Sequence, residues 1–408
     1  MHVALDATPL TLAAGGLRRY TEELSRALAV NFPEDRFLLA SDQEASIPLV
    51  LRPRSPLPYG RGSAPGRNRA RKQAEEPNRA DKAAGSNHAV SVQETVHAAL
   101  NEFPNLEFGC GPRNAFERKW WLLGLNRELA RERIDVFHGT NFEVPYVPLR
   151  PSVLTLHDLS PWRGASCPRN AARVRARTPW LIRLGIATMV VTPSEAIRRE
   201  AIDRFGIHPA RIVVVPLAAS SVFQPVADAS AATGSPYFLY AGTLEHRKNL
   251  GVLLEAWRTV RRGCAVDLVL AGQRRAEFPE LPPEPGLKVL GEVSDAELRA
   301  LYAGALAFVF PSLYEGFGLP VLEAMQCGAA VFTSRDAAIS EVVSDAAIRI
   351  EAGEGKGWVQ ALESAAARPE WLATLRAKSI ARAREFSWAR TARLTRDTYE
   401  EARRRFAS

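Results

Sequence analysis

The chain has 408 residues, of which 46% are hydrophobic and 24% are charged. This composition is typical of a globular protein and leaves room for two domains with full cores. No apolar run approaches the roughly 18 residues of a membrane-spanning helix, and the N-terminus lacks the charged and then apolar plan of a signal peptide, so we expect a cytoplasmic protein.

The positive charge is concentrated in one segment. The formal net charge is +8, and residues 52–82 hold nine Lys or Arg against three Asp or Glu, which leaves the rest of the chain nearly neutral. The segment is rich in proline and has no apolar periodicity, so residues 52–87 are predicted to be a disordered basic insertion. We therefore expect no nucleic-acid partner. The four cysteines are far apart, which argues against disulfides and a zinc site.

Strands and helices are predicted to alternate along the first half of the chain. The first strand, at 1–6, leads through Gly15 and Gly16 into apolar residues at helical spacing. Later strands are predicted from apolar runs at 36–40, 134–139, 152–156, 188–191 and 212–215. Helices are predicted at 114–133 and, after Ser194 as N-cap, at 195–205. Apolar strands that alternate with helices are typical of a parallel, doubly wound sheet.

A second domain of the same kind is predicted after a linker rich in Ala, Ser, Pro and Gly at 216–236. Its strands are predicted at 237–241, 266–271, 287–290, 305–310 and 329–332. Its helices are predicted at 249–261, at 295–303 after the cap Ser294, and from 358 onward. We therefore predict an α/β fold with two Rossmann-like, doubly wound domains, 1–217 and 218–385, that face a central cleft.

Two carboxylates flank the glycine-rich turn that follows the strand at 305–310. Glu315 lies on the turn, where we expect it to be exposed, and Glu323 lies in the first turn of the helix that Pro320 begins. The free N–H groups of this helix start suit an anionic ligand, at the edge where open α/β sheets bind ligands. The alternative is that Glu315 is a solvated acid and that Glu323 only complements the helix dipole.

Two adjacent cations, Arg247 and Lys248, follow the first strand of the second domain. We expect both at a helix start, where cations are unfavourable unless an anion binds there, and we expect Lys248 to lie on an exposed loop. A guanidinium and an ammonium can neutralise the charge that develops on a departing phosphate. The sequence has no two aspartates separated by one residue, the pattern with which some transferases hold a metal for this purpose. The alternative is a solvated basic helix start.

The segments 315–325, EGFGLPVLEAM, and 242–250, GTLEHRKNL, resemble the signatures of retaining GT-B glycosyltransferases of family four, and the likeness is to mannosyltransferases. The resemblance covers nearly the whole chain outside 52–87. It implies transfer of a hexose from a GDP- or UDP-sugar to a glycan or lipid-linked acceptor in surface polysaccharide biosynthesis. Mannose is the hexose that the resemblance favours. The same resemblance implies that no metal or other cofactor takes part and that a final helix, 386–408, packs back on the first domain.

The resemblance also implies roles for residues on the donor side. Glu323 would bind the ribose hydroxyls, and Glu315 would contact the transferred sugar. Gly16 would approach the diphosphate, and Val293 would lie near the base. The further donor-binding residues are predicted to be Gly242, Arg247, Lys248, Gly316, Phe317, Gly318 and Leu319. For Gly16, the alternative is a glycine helix start without a ligand.

His157 and Asp158 follow the strand at 152–156 and complete the predicted catalytic set with Glu315. By the same resemblance, His157 binds a hydroxyl of the reactive sugar, and Asp158 orients the histidine or touches the acceptor. The alternative for His157 is a strand-end histidine bonded to backbone. Because Glu323 is assigned to the ribose, no clear nucleophile remains for a double displacement. We therefore expect front-face attack by the acceptor hydroxyl, with the leaving phosphate removing its proton.

A basic and aromatic stretch, 162–183, comes next and contains two tryptophans, six arginines and no acid. Relatives that associate with membranes meet anionic lipid with such segments, which predicts peripheral contact with the inner face of the cell membrane. The alternative is a solvated helix face. Two other functions stay open: non-catalytic binding of a nucleotide sugar or a nucleic acid, and oxidation with NAD. The glycine fingerprint for NAD is absent.

Overall fold

The computed structural model describes residues 1–12, 15–42, 103–163, 169–226 and 235–408. The insertion predicted at 52–87 lies outside the described residues. Within the described ranges the chain forms two α/β domains, each built on a parallel sheet, which confirms the predicted fold class. No helix in these ranges is both long and apolar enough to span a bilayer.

The first domain has a parallel sheet in which the described residues place seven strands, in the order β3-β2-β1-β4-β5-β6-β7. The strands are β1 (His2–Asp6), β2 (Arg36–Ala40), β3 (Leu106–Phe108), β4 (Val136–Gly139), β5 (Ser152–Thr155), β6 (Met189–Thr192) and β7 (Ile212–Val214). The helices are α1 (Gly16–Asn31), α2 (Leu125–Arg131), α3 (Arg169–Arg183) and α4 (Glu195–Phe205). The strand order reverses between β1 and β4, and ligands of such sheets bind at the carboxyl edge of that point.

The second domain repeats this plan with six strands among the described residues, in the order β10-β9-β8-β11-β12-β13. The strands are β8 (Tyr237–Ala241), β9 (Asp267–Ala271), β10 (Leu287–Gly291), β11 (Ala307–Phe310), β12 (Val331–Ser334) and β13 (Ile348–Ile350). The helices are α5 (Leu250–Arg261), α6 (Asp295–Gly304), α7 (Leu319–Gln326), α8 (Ala337–Val343), α9 (Gly355–Ala367), α10 (Leu372–Ala383) and α11 (Trp388–Ala407). Here the order reverses between β8 and β11, the strands that precede the two predicted donor motifs.

The helix starts agree with the predicted caps. The Ser194 hydroxyl accepts from the Ile197 amide at the start of α4, and Ser294 forms a reciprocal capping box with Glu297 at the start of α6. The prediction of one long helix at 114–133 was wrong. A π-helical turn at Trp120–Gly124 precedes the short α2, because the carbonyl of Trp121 accepts from the Tyr146 amide, 2.8 Å away, and so leaves the helical ladder.

The last helix, α11, packs against the first domain, chiefly on α1. The Tyr399 hydroxyl lies 2.8 Å from Nδ1 of His138, whose Nε2 lies 2.8 Å from the Thr155 hydroxyl. Burial lowers the pKa of His138 to about 3, so this histidine is a neutral member of a buried hydrogen-bonded network. On the same helix, Arg396 donates to Asp35 at 2.6 Å.

The carboxyl edges of the two sheets face each other and are in contact. The Ser194 hydroxyl donates to the carbonyl of Gly316 at 2.8 Å, and the Leu159 amide donates to the Tyr314 hydroxyl at 2.8 Å. The Glu341 carboxylate of α8 accepts from two free amides at the start of α4, at 2.8 and 2.7 Å. A residue of the second domain therefore caps a helix of the first.

Candidate active site

Two residues with positive φ and one side-chain hydrogen bond shape the cationic loop after β8. Gly242 has a φ of 143°, and Asn249, which precedes α5, has a left-handed φ of 56°. The side-chain amide of Asn249 donates to the carbonyl of Ala352 at 2.8 Å. Between them, a 3₁₀ turn at His246–Lys248 presents two cations at the carboxyl edge of the sheet. This is where the sequence placed Gly242, Arg247 and Lys248.

Lys248 and Glu315 form a buried ion pair between the two donor motifs. Lys248 Nζ lies 2.5 Å from Glu315 Oε1, and Nη1 of Arg247 lies 3.4 Å from Oε2. The Ser312 hydroxyl also donates to Oε1, at 2.6 Å. Lys248 and Glu315 are each only 8% exposed. The expectation that both residues lie on exposed loops was wrong, because the 3₁₀ turn and the turn after β11 pack on each other.

The charges in this cluster shift the pKa values of Glu315 and Arg247. Burial opposes ionisation of Glu315, but the charges of Lys248 and Arg247 outweigh it, so the pKa of Glu315 lies below its usual value. Burial also opposes the charge of Arg247, whose pKa is nevertheless raised by Glu315 and Glu245. Nη2 of Arg247 lies 2.8 Å from Glu245. The two predicted phosphate-binding cations are therefore already paired with carboxylates.

His157 is buried at the end of β5 and bonded to backbone. Its Nε2 lies 2.7 Å from the carbonyl of Thr140, which can only accept, so Nε2 carries a hydrogen and Nδ1 remains an acceptor. Burial lowers the pKa of His157, which keeps the ring neutral near pH 7. The ring edge contacts Tyr20, with centroids 4.7 Å apart. The backbone bond foreseen as the alternative thus exists and leaves one nitrogen for a hydroxyl.

Asp158 accepts two hydrogen bonds from the turn that follows it. Its Oδ1 lies 2.9 Å from the Ser160 amide and 2.6 Å from the Ser160 hydroxyl. Its charge still contributes to the raised pKa of Arg247, in the other domain. Asp158 therefore has a structural role at the start of a 3₁₀ turn, beside the cleft. A catalytic role for it stays a prediction.

The glycines of the EGFGLP turn make close backbone contact with the first domain. A Cβ atom on Gly316 would lie 1.9 Å from the carbonyl oxygen of His157, and one on Gly16 would lie 3.9 Å from a methyl of Leu319. Gly318, with a φ of 97°, precedes α7. The structure thus brings Gly16, His157, Gly316 and Leu319 together at the start of α7. The expected row of free N–H groups is not found there, because Pro320 has no N–H and the amides of Val321 and Leu322 donate to the Gly318 carbonyl.

Two further predicted donor residues, Phe317 and Val293, pack against apolar parts of the protein. Phe317 is buried, with its ring 5.9 Å from that of Phe386. Val293, after β10, is half-buried and packs against the main hydrophobic core. Their contacts with a donor stay predictions.

Glu323 is bound by an arginine that the sequence analysis missed. Its Oε1 accepts from Nη1 of Arg19, on α1 of the first domain, and its Oε2 lies 3.3 Å from the Tyr302 hydroxyl. Nη2 of Arg19 also lies 2.5 Å from Asp295. Arg19 stands in the first turn of α1, where a cation is unfavourable without an anion. The same reasoning that singled out Arg247 and Lys248 would have found it.

Some residues of the basic and aromatic stretch, 162–183, pair with other residues of the protein. Arg163 pairs with Glu200 at 2.9 Å, and its guanidinium lies over the Tyr314 ring, 4.0 Å from the centroid. Arg173 pairs with Glu143 at 2.9 Å. In contrast, Trp180 is 61% exposed. The exposed residues one helical turn before and after it are Ala176, Arg177, Arg183 and Leu184.

No group of three or more His, Cys, Asp or Glu side chains suited to a metal ion is found among residues 1–12, 15–42, 103–163, 169–226 and 235–408. Fixed cations near the carboxyl edges include Arg19, Arg247 and Lys248. Positive charge for an anionic ligand can come from these side chains and from the start of α7.

Comparisons with known proteins agree with this architecture. The family model for Glycosyltransferase Family 4 matches residues 86–219, and that for Glycosyl transferases group 1 matches residues 235–368. A similar protein is O-antigen chain mannosyltransferase B from Escherichia coli, which is 33% identical over 285 residues, covering 65% of this chain and 74% of that protein.

Two solved structures share the fold over their whole lengths. Sucrose-phosphate synthase (tll1590) from Thermosynechococcus elongatus has a TM-score of 0.66 at 17% identity, with 98% of both chains covered. Alr3699/HepE from Anabaena, in complex with UDP and glucose, has a TM-score of 0.65 at 15% identity, covering 98% of this chain and 99% of that one. They confirm the predicted GT-B fold.

We predict that Lys248→Met lowers the free energy of unfolding by about 3 kcal/mol near pH 7, because it leaves the Glu315 charge buried. Without Lys248, burial raises the pKa of Glu315, so the deficit should shrink as the pH falls and Glu315 takes up a proton. In the wild type this pKa is lowered, so the contribution of Glu315 should be fully present above the unfolded value of about 4.3 and be lost as the pH falls from there through the lowered folded value. Thermal unfolding from about pH 2 to about pH 8 measures both effects.

The matched control is Lys248→Met with Glu315→Gln, which removes both charges and should recover most of the lost stability. A single variant as stable as the wild type at neutral pH would contradict the buried pair.

Proposed function

Because the chain belongs to glycosyltransferase family 4, we propose that it transfers mannose from a nucleotide diphosphate sugar to a hydroxyl of a glycan or lipid-linked acceptor during assembly of a surface polysaccharide. The observation that carries the proposal is the cluster of Arg247, Lys248 and Glu315 at the point where the second sheet reverses its order. The O-antigen mannosyltransferase relative supports mannose as the sugar. We propose GDP as the carrier, with UDP, which HepE binds, as the other candidate.

The cations would act on the leaving diphosphate. Negative charge grows on the phosphate as the bond to the sugar breaks, and fixed cations in a shielded site stabilise that charge strongly. Arg247 offers a planar fork, and Lys248 a point charge. The positive end of the α7 dipole would add to this charge. We therefore propose that transfer needs no metal ion.

Retention of the sugar configuration would follow from front-face attack. Glu315 is held by Lys248, Arg247 and Ser312, and Oδ1 of Asp158 is held by Ser160, so we assign neither carboxylate as a nucleophile. We propose that the departing phosphate oxygen takes the proton of the acceptor hydroxyl. His157, neutral and with Nδ1 as an acceptor, would bind a hydroxyl of the transferred sugar. A glycosyl-enzyme trapped on Glu315 or Asp158 would overturn this mechanism.

We also propose peripheral contact with an anionic membrane through the exposed face of α3. Trp180 and Leu184 are large apolar side chains exposed to solvent, and Arg183 lies on the same face of the helix. An aromatic and basic face of this kind suits the boundary between anionic headgroups and acyl chains. A lipid-linked acceptor would be reached from that surface, on the inner side of the cell membrane.

We expect a nucleoside diphosphate to stabilise the protein by about 2.7 kcal/mol at 100 times its dissociation constant. A thermal-shift screen with GDP, UDP, ADP and CMP identifies the base. Lys248→Ala should reduce the shift, while Lys378→Ala, which removes a surface lysine paired with Asp345, should not. If no nucleotide raises the melting temperature, the proposed donor site is wrong.

We predict transfer of mannose from GDP-mannose to an alkyl mannoside, with an α-linked product if the configuration is retained. Lys248→Ala should lower kcat/KM about 100-fold or more, because the leaving charge loses a fixed partner. Product analysis by NMR and rates with and without EDTA are the measurements. A β-linked product excludes retention, and loss of activity in EDTA would show that a metal is required.

Binding to vesicles of phosphatidylglycerol at low salt is the expected result for the membrane proposal, and Trp180→Glu should abolish it. Trp371→Glu, at an exposed tryptophan of the second domain, is the matched control and should still sediment with the vesicles. Wild-type protein that stays in the supernatant at low salt would exclude this surface.

A further inference from the structure

Arg19 crosses from the first domain into the predicted ribose site of the second. It lies on α1, 304 positions from Glu323, and its Nη1 donates to Oε1 of that carboxylate. Its Nη2 lies 2.5 Å from Asp295 Oδ1, and its guanidinium lies over the ring of Phe223, 5.0 Å from the centroid. Three contacts therefore fix the arginine in one orientation across the domain boundary.

We propose that Arg19 is a positioning residue for the donor, which holds the Glu323 carboxylate ionised and in place to accept the ribose hydroxyls. Because Arg19 belongs to the other domain, this arrangement exists only while the two domains are closed, and donor recognition is tied to closure. The proposal rests on the proposed function, in which Glu323 binds the ribose.

The number of acceptor positions on Glu323 fits this role. An ionised carboxylate offers about four lone-pair positions, two on each oxygen. Arg19 uses one on Oε1, and the Tyr302 hydroxyl uses one on Oε2. One position remains on each oxygen, which matches a pair of vicinal hydroxyls. Arg19 can therefore stay in place while the ribose binds.

The surroundings of Glu323 explain why a cation is needed. Glu323 is 4% exposed, and burial raises its pKa, Arg19 lowers it, and Asp295 raises it, so that the pKa lies above its usual value. Tyr302, on the same helix as Asp295, and Cys327, after α7, are neutral because burial raises their own pKa values. Without Arg19, burial and the charge of Asp295 would both raise the pKa of Glu323. A buried carboxyl without a cation can keep its proton at neutral pH.

The experiment compares wild type, Arg19→Gln and Arg19→Lys by calorimetric titration with GDP or UDP, whichever the wild type binds more tightly. Protonation of the nucleotide changes both Kd values equally, so we compare the ratio of the variant Kd to the wild-type Kd at each pH. For Arg19→Gln we expect this ratio to rise about tenfold between about pH 8.5 and about pH 6, as Glu323 takes up a proton. Arg19→Lys keeps the charge and should keep the ratio flat.

The 2′,3′-dideoxy form of the same nucleotide separates the ribose from the phosphates. Arg19 acts through the ribose hydroxyls, so Arg19→Gln should bind the dideoxy form as well as the wild type does. Arg36→Ala is the matched control, since Arg36 pairs with Glu107 at 3.0 Å on the surface of the same domain. It should behave as wild type with both nucleotides.

Equal losses for both nucleotides would overturn the proposal, because Arg19 would then contact the phosphates or only support the fold. A ratio that does not change with pH would overturn it as well. Thermal unfolding checks that each variant is folded. If Arg19→Gln is unfolded, Arg19→Lys still tests the proposal, because this variant keeps the charge. A ratio of its Kd to the wild-type Kd that changes with pH contradicts the proposal. Wild-type protein that binds neither GDP nor UDP refutes the proposed function itself, and this inference with it.

Discussion

The ion pair of Lys248 and Glu315 fixes the geometry of the second domain's sheet edge. It joins the turn after β8 to the turn after β11, the strands between which the sheet order reverses. Two charges so deeply buried cost free energy unless each has its partner, so neither turn can move away alone. The Ser312 bond and the nearby Arg247 complete the set. The EGFGLP turn is thereby held against His157, and the start of α7 is held at the cleft.

Much of the fold could be predicted because its signals are local. Apolar runs marked the strands, and Ser194 and Ser294 marked helix starts that the structure shows as capped. The wrong helix at 114–133 depended on a distant contact. Tyr146 takes the carbonyl of Trp121, and no pattern near that tryptophan indicates it. Propensity is overridden by tertiary contacts in such places.

The sequence predicted which residues form the site but not which of them form ion pairs with one another. Motif spacing identified Arg247, Lys248, Glu315 and Glu323, yet it gave no sign that their partners lie within the protein. Pairing of Glu323 with Arg19 spans 304 positions and two domains, so it depends on how the domains pack. The expected exposure of Lys248 and Glu315 failed for the same reason: a loop is exposed only if no other loop covers it.

Pairing of the cleft cations with carboxylates bears on how a diphosphate could bind. Unpaired cations in a closed, poorly solvated cleft would be costly, whereas paired ones can be buried. In the proposed function, a diphosphate that approaches Lys248 would compete with Glu315 for the same ammonium group. Glu315, released in part, would then accept hydrogen bonds from sugar hydroxyls. Glu323 differs, because Arg19 leaves it two acceptor positions, and its pair can persist. In the proposed function the two pairs would therefore differ: the Lys248–Glu315 pair would open to the donor, whereas the Arg19–Glu323 pair would stay formed and bind it.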